Sequence, residues 1–271
     1  MPYPPDKGDK IRSYREWSAL ARTHRVTLAF FVDDPADEVH LPLLRAQEGV
    51  ELVLPIRLNP GRARLRSLLA LPGRRPLSLA FYDSSALRRG IADAARSEEF
   101  DAVVAFSSTM GPYALQVPAA RRILDLCDLD SQKWEQYAEA SRFPMSWIYR
   151  TEARRLGAYE AEAAARFDQT LLVSAAEAAE LERRAPKARV TVAGNGIDLG
   201  YYDPAHYPDL LGDGRTTVFC GAMDYKSNVD AVAWYHAEIL PRVRERVPDA
   251  RFRIVGSNPS PEVLRLGREE G

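Results

Sequence analysis

Only two of the 271 residues are cysteine, Cys127 and Cys220, and they stand far apart. Two isolated thiols make neither a disulfide framework nor a zinc site, so both are expected as buried thiols in a reducing compartment. Histidine is scarce too: His24, His40, His206 and His236 show no HxxxH or HExxH spacing, which argues against a metal site. Lysine is the third scarcity. Of 37 basic residues only Lys7, Lys10, Lys133, Lys187 and Lys226 are lysine, a bias that reads as genome base composition. Against 38 acidic residues the net charge is -1, without the basic excess of a dedicated nucleic-acid binder. No run approaches the ~18 apolar residues of a membrane span. The opening Met1-Pro-Tyr-Pro-Pro-Asp-Lys-Gly-Asp-Lys10 has no apolar signal-peptide core, and a cytoplasmic location is expected.

What is present is globular composition, 46% hydrophobic and 28% charged, which excludes a disordered or fibrous chain. Short apolar runs predict strands over 25–32, 50–54, 101–106, 122–127, 169–173, 189–192, 217–220 and 251–255. Most are near-continuous Val, Ile, Leu and Phe, as in parallel strands covered on both faces. Helical patterns separate them over 11–22, 84–96, 130–166, 174–184 and 228–246. This alternation predicts α/β architecture. Pro144 should break the longest helix near Phe143. Beyond the break, Trp147, Ile148, Leu156 and Tyr159 are expected on one face, with Arg150, Glu152, Arg154 and Arg155 toward solvent. The glycine- and proline-bearing stretch from Gly194 to Gly214 reads as a linker. The expected domains are therefore 1–194, a linker 195–215, and the start of a second lobe over 216–271.

Arg57 to Arg75 holds six arginines and no acid. Leu65, Leu68 and Leu69 at i, i+3, i+4 make a short basic amphipathic helix plausible there. Contact with an anionic membrane through Arg62, Arg64 and Arg66 is one reading. A solvated helix beside the sheet is the other.

Several stretches carry chemistry. The loop containing Gly8, Asp9 and Lys10 runs toward a helix, and a glycine before a helix N-terminus lets backbone N–H groups approach a phosphate. In Thr217 to Asn228, strand, glycine turn and helix follow one another. Gly221 can admit a diphosphate there and Lys226 can neutralise it, while Asn228 can cap the helix. There is no Walker A and no GxGxxG, which disfavours a P-loop kinase or an NAD enzyme. Ser174 reads as a helix N-cap with Glu177 at the capping-box position. Asn195-Gly196, followed by Ile197-Asp198, reads as a tight turn and hinge.

In order, the loop Lys7-Gly8-Asp9, Leu172-Val-Ser-Ala-Ala-Glu177, Asn195-Gly-Ile-Asp198, Val218-Phe-Cys-Gly-Ala-Met-Asp224 and Phe252-Arg-Ile-Val-Gly-Ser-Asn258 resemble a known family. It is the GT-B glycosyltransferases of the family-4 type. The start, Pro2 to Arg12, and Met223 to Val232 look closer still to the sugar transferases associated with the PEP-CTERM/exosortase system. The resemblance implies two Rossmann-like lobes and a retaining transfer of sugar from a nucleotide-sugar donor to a growing, lipid-linked exopolysaccharide. It implies no cofactor and no metal; the nucleotide sugar is a substrate. Gly221, Lys226 and Asn228 would lie at the donor phosphates, and Gly8, Asp9 and Lys10 near donor or acceptor. Asn195, Gly196 and Asp198 would form the hinge. Many relatives carry a His-Asp pair where this chain has Cys127-Asp128, so only Asp128 is carried over as a catalytic candidate.

The family pattern is also expected to be cut at both ends. Its first, central strand would precede Pro2, leaving strands 25–32 and 101–106 without a shared neighbour. Its later second-lobe elements would follow Gly271. These residues alone are then expected to be inactive. The alternative is a non-catalytic nucleotide-sugar or carbohydrate-binding module.

Overall fold

Among the described residues, eight strands form where the Val/Ile/Leu/Phe runs lie, and all of them pair in parallel. The computed structural model describes residues 1–5, 8–207 and 212–268, and of Asp9 only the backbone. The chain divides into two compact units, Met1–Gly196 and Ile197–Gly271.

The first unit begins with α1 (Gly8–Ala21), β1 (Val26–Val32), a 3-10 turn Pro35–His40, α2 (Leu41–Arg45) and β2 (Val50–Arg57). Three helices follow, α3 (Pro60–Leu69), α4 (Leu77–Phe81) and α5 (Ser85–Ser97). Then come β3 (Phe100–Phe106), α6 (Gly111–Ala114), β4 (Ala119–Cys127), α7 (Asp130–Glu139), α8 (Met145–Arg166), β5 (Gln169–Leu172), α9 (Ala175–Arg184) and β6 (Val190–Val192). Among the described residues β1 pairs with β2 alone, and β3-β4-β5-β6 form a separate sheet. Leu124, Leu126, Leu172, Ala163, Ala164 and Leu181 pack the larger sheet against α8 and α9. Trp17 and Ala21 of α1 pack on Leu28 and Phe30 of β1. Phe31, Ala63, Leu87 and Tyr113 share a third apolar cluster, which joins β1 to α3, α5 and α6.

The break expected near Phe143 is present: α7 ends at Glu139, and α8 starts after Pro144. The faces of α8 differ from expectation. Leu156 is fully buried, but Trp147 is half exposed and Glu152 is only 2% exposed. Glu152 accepts from the backbone N–H groups of Leu77 and Ser78, so this carboxylate caps α4 instead of facing water. Arg155 is likewise drawn in, donating to the carbonyls of Ala70 and Leu71. An i, i+4 pattern registers apolar side chains but not a carboxylate that has found buried N–H partners.

The second unit holds β7 (Thr216–Cys220), α10 (Lys226–Trp234), a π-helical turn Tyr235–Ile239, α11 (Leu240–Arg244), β8 (Arg251–Val255) and α12 (Pro261–Leu266). β7 and β8 pair in parallel. The single helix expected over 228–246 is thus interrupted. Pro241 has no N–H and its ring would crowd the carbonyl of residue 237, and the wider π turn accommodates it. Met223, Val229, Val232 and Val263 are its buried core.

Candidate functional site

In open α/β sheets, ligands bind beyond the carboxyl ends of the strands. In the first unit that edge is built around Asp125, a carboxylate with no exposure inside the apolar run Ile123-Leu-Asp-Leu-Cys127. Its oxygens accept from Arg12 Nε at 2.7 Å and Arg12 Nη2 at 3.2 Å. Arg12, itself buried, projects from the second turn of α1. Its other terminal nitrogen donates to the Ala193 carbonyl at 2.9 Å and to Asn195 Oδ1 at 3.0 Å. One guanidinium thus ties α1 to the ends of β4 and β6. The bidentate geometry is what arginine's planar fork supplies and lysine's ammonium does not.

Glu16 lies one turn further along α1, with Oε1 3.1 Å from Arg12 Nε. Burial pushes its carboxyl up to about 8, helped by a hydrogen bond to Asp125 and that group's negative charge, and opposed by Arg12. Two backbone kinks border the group. Cys127 has φ +63, and its N–H donates to Asp125 Oδ1 at 3.0 Å. Ser107 has φ +75, and its N–H donates to the Asp125 carbonyl at 2.7 Å. Left-handed conformations at non-glycine residues cluster at sites that the surrounding structure over-determines. The Ser108 hydroxyl beside them is buried with no partner among the described residues.

In the second unit the corresponding edge is a close turn. The Gly221 N–H donates to the Val255 carbonyl at 3.0 Å, and the Met223 N–H to the Ser257 carbonyl at 2.8 Å. A Cβ on Gly256 would stand 1.7 Å from the Gly221 carbonyl oxygen, so only glycine fits there. A Cβ on Gly221 would meet Asn228 Nδ2 at 2.7 Å. Asn228 is not the N-cap: α10 already starts at Lys226, and the Asn228 amide donates to the Ala222 carbonyl at 3.0 Å. Lys226 is the first residue of α10, and its ammonium lies 2.9 Å from both oxygens of Asp230, one turn on.

The other expected residues fall as follows. Gly8 and Lys10 belong to α1 and not to a loop, because the helix starts at Gly8. Lys10 is held by Asp37 at 2.9 Å. The Asp9 side chain lies outside the described residues. Asp128 is exposed beyond the end of β4, with Oδ2 3.8 Å from Cys127 Sγ. Burial and the nearby Asp128 charge push the Cys127 thiol up to about 12, so it is not a thiolate nucleophile. Cys127 is half-buried and Cys220 exposed, against the expectation that both are buried. Short β7 ends at Cys220, where the chain turns at the sheet edge. Asn195 is bound by Arg12; Asp198 Oδ1 accepts from the Tyr201 N–H at 3.0 Å; Gly196 closes the first unit. Ser174 makes no capping bond, and Glu177 accepts from the Leu129 N–H at 2.9 Å instead of completing a capping box. Of the arginine trio, Arg66 donates to the Phe81 carbonyl at 2.9 Å, whereas Arg62 and Arg64 point to solvent.

Sequence reasoning missed Arg12, Glu16 and Asp125. The available signal was Asp125 itself, a charge in the middle of a strand that otherwise reads as buried, which requires a cationic partner. Among the described residues no group of three His, Cys, Asp or Glu side chains could hold a metal ion, and no helix is long and apolar enough to cross a membrane. No protein-family model and no curated protein sequence matches the chain.

Proposed function

We propose that the chain is part of a retaining glycosyltransferase of the GT-B, family-4 type, which passes a sugar from a nucleotide-sugar donor to a growing, lipid-linked exopolysaccharide. The observation that carries this reading is the β7–Gly221–α10 turn. It sets the N-terminus of α10, with Lys226 as its first residue, after the carboxyl end of a parallel strand. As the bond from sugar to diphosphate breaks, negative charge grows on the departing nucleoside diphosphate. Helix N–H groups and an ammonium are suited to that charge. Lys226 would exchange its exposed partner Asp230 for phosphate, at little cost because surface pairs of this kind are weak. In this reading Asp128, exposed beyond the end of β4, is the catalytic candidate. Arg12 is not a phosphate ligand, since Asp125 and Asn195 already use it.

Calorimetric titration of the whole protein with nucleoside diphosphates tests the proposal. Binding is expected, and Lys226→Ala should weaken it roughly tenfold, or about 1.4 kcal/mol. Unchanged affinity in that variant, or no binding of any nucleoside diphosphate, overturns the phosphate role. Donor binding by the whole protein without sugar transfer would identify a non-catalytic binding module instead.

A further inference from the structure

The outward face of α3 is apolar. Leu65, Leu68 and Leu69 are 57%, 59% and 72% exposed, while Ala63 on the same helix is fully buried. At 3.6 residues per turn the three leucines lie on the side opposite Ala63, and Arg62 and Arg64 lie on the two flanks of that stripe. An ordinary surface helix has the reverse arrangement, with its leucines on the core. Nothing in the fold turns α3 over. The Asn59 side chain caps its first turn, and Arg155 takes the carbonyls of Ala70 and Leu71 at its far end. Ser67 bonds the Leu77 carbonyl at 2.9 Å, and Arg66 the Phe81 carbonyl. The leucines are therefore held outward by contacts on the other side of the helix.

Charge says what they are held toward. Residues 52–82 contain six arginines and no Asp or Glu, in a chain whose net charge is -1. Arg57 pairs with Glu38 and Arg75 with Asp83, but no ion pair among the described residues takes Arg62, Arg64 or Arg74. We propose that α3 docks on an anionic lipid bilayer, with Leu65, Leu68 and Leu69 at the acyl boundary and Arg62 and Arg64 on head-group phosphates. Arginines on both flanks of an apolar stripe can keep their charges in the head groups while their stems cover hydrocarbon. The surface is stable without the membrane because a stripe of three leucines is small.

Co-sedimentation of the chain with phosphatidylcholine vesicles, with or without about 30% phosphatidylglycerol, tests this. Sedimentation is expected only with the anionic vesicles, and should fall as salt rises. Arg62→Gln and Arg64→Gln should each weaken partitioning about fivefold. The triple change Leu65→Gln, Leu68→Gln, Leu69→Gln should abolish it, with an unaltered circular dichroism spectrum because all three side chains are exposed. Equal binding to neutral vesicles, or binding untouched by these changes, overturns the proposal. So does self-association of the chain that the leucine changes abolish, since the face would then belong to a second copy. No sugar donor enters the assay, so its outcome is independent of the glycosyltransferase reading.

Discussion

Arg12 makes four hydrogen bonds, two to Asp125 and one each to Ala193 and Asn195, and thereby joins three segments distant in sequence. Glu16 shares that group at an electrostatic cost, because its neighbour Asp125 and its burial both disfavour a second negative charge. With its carboxyl at about 8, against 4.5 ordinarily, the folded chain holds a proton there that the unfolded chain releases. The stability tied to that proton is full below the ordinary value and is lost as pH rises through about 8. Glu16→Gln removes this dependence. Urea midpoints of both proteins, measured between about pH 5 and 9, should show the variant gaining on the wild type as pH rises, then a constant gap above pH 8. A gap independent of pH would count against the shared-proton geometry.

At the scale of elements, two helix starts in the first unit, those of α4 and α7, are capped from a distance. Glu152 of α8 takes the first N–H groups of α4, and Glu177 of α9 takes that of Leu129 just before α7. Glu160 of α8, almost fully buried, takes both the N–H and the hydroxyl of Ser131 in α7. Each carboxylate meets both the orphan donors and the positive end of a helix dipole. Burial still pushes the Glu160 carboxyl up to about 7, because its two bonds to Ser131 only partly offset desolvation. Glu160→Ala leaves the Ser131 donors unpaired in the interior and should destabilise the first unit by about 2–4 kcal/mol. Thermal melting of the variant reads this; a loss of less than about 1 kcal/mol would show that water replaces the carboxylate.

At the scale of the whole molecule, the first unit ends at Gly196, and the chain from Gly194 to Tyr202 is exposed and outside helix or strand. Leu199, Tyr201 and Tyr202 are 76%, 64% and 63% exposed. Brief chymotrypsin treatment should cut there first and release the first unit intact, because exposed irregular backbone is where nicking concentrates. Earlier cuts inside 8–192 would contradict a compact first unit.

The α/β alternation, the positions of the eight strands among the described residues and the break at Pro144 are legible in the residues before any packing is considered. Those properties follow from local periodicity and from a ring that cannot continue a helix. The sequence also contained the turn at Gly221, though not the need for glycine at Gly256, which comes from the approach of a second strand. Packing settles the partners of Arg12, the helix ends that Glu152 and Glu160 cap, and the outward turn of Leu65, Leu68 and Leu69. A buried charge announces that it needs a partner but does not name it. An amphipathic stripe likewise has a direction only once packing decides which side of the helix meets the core.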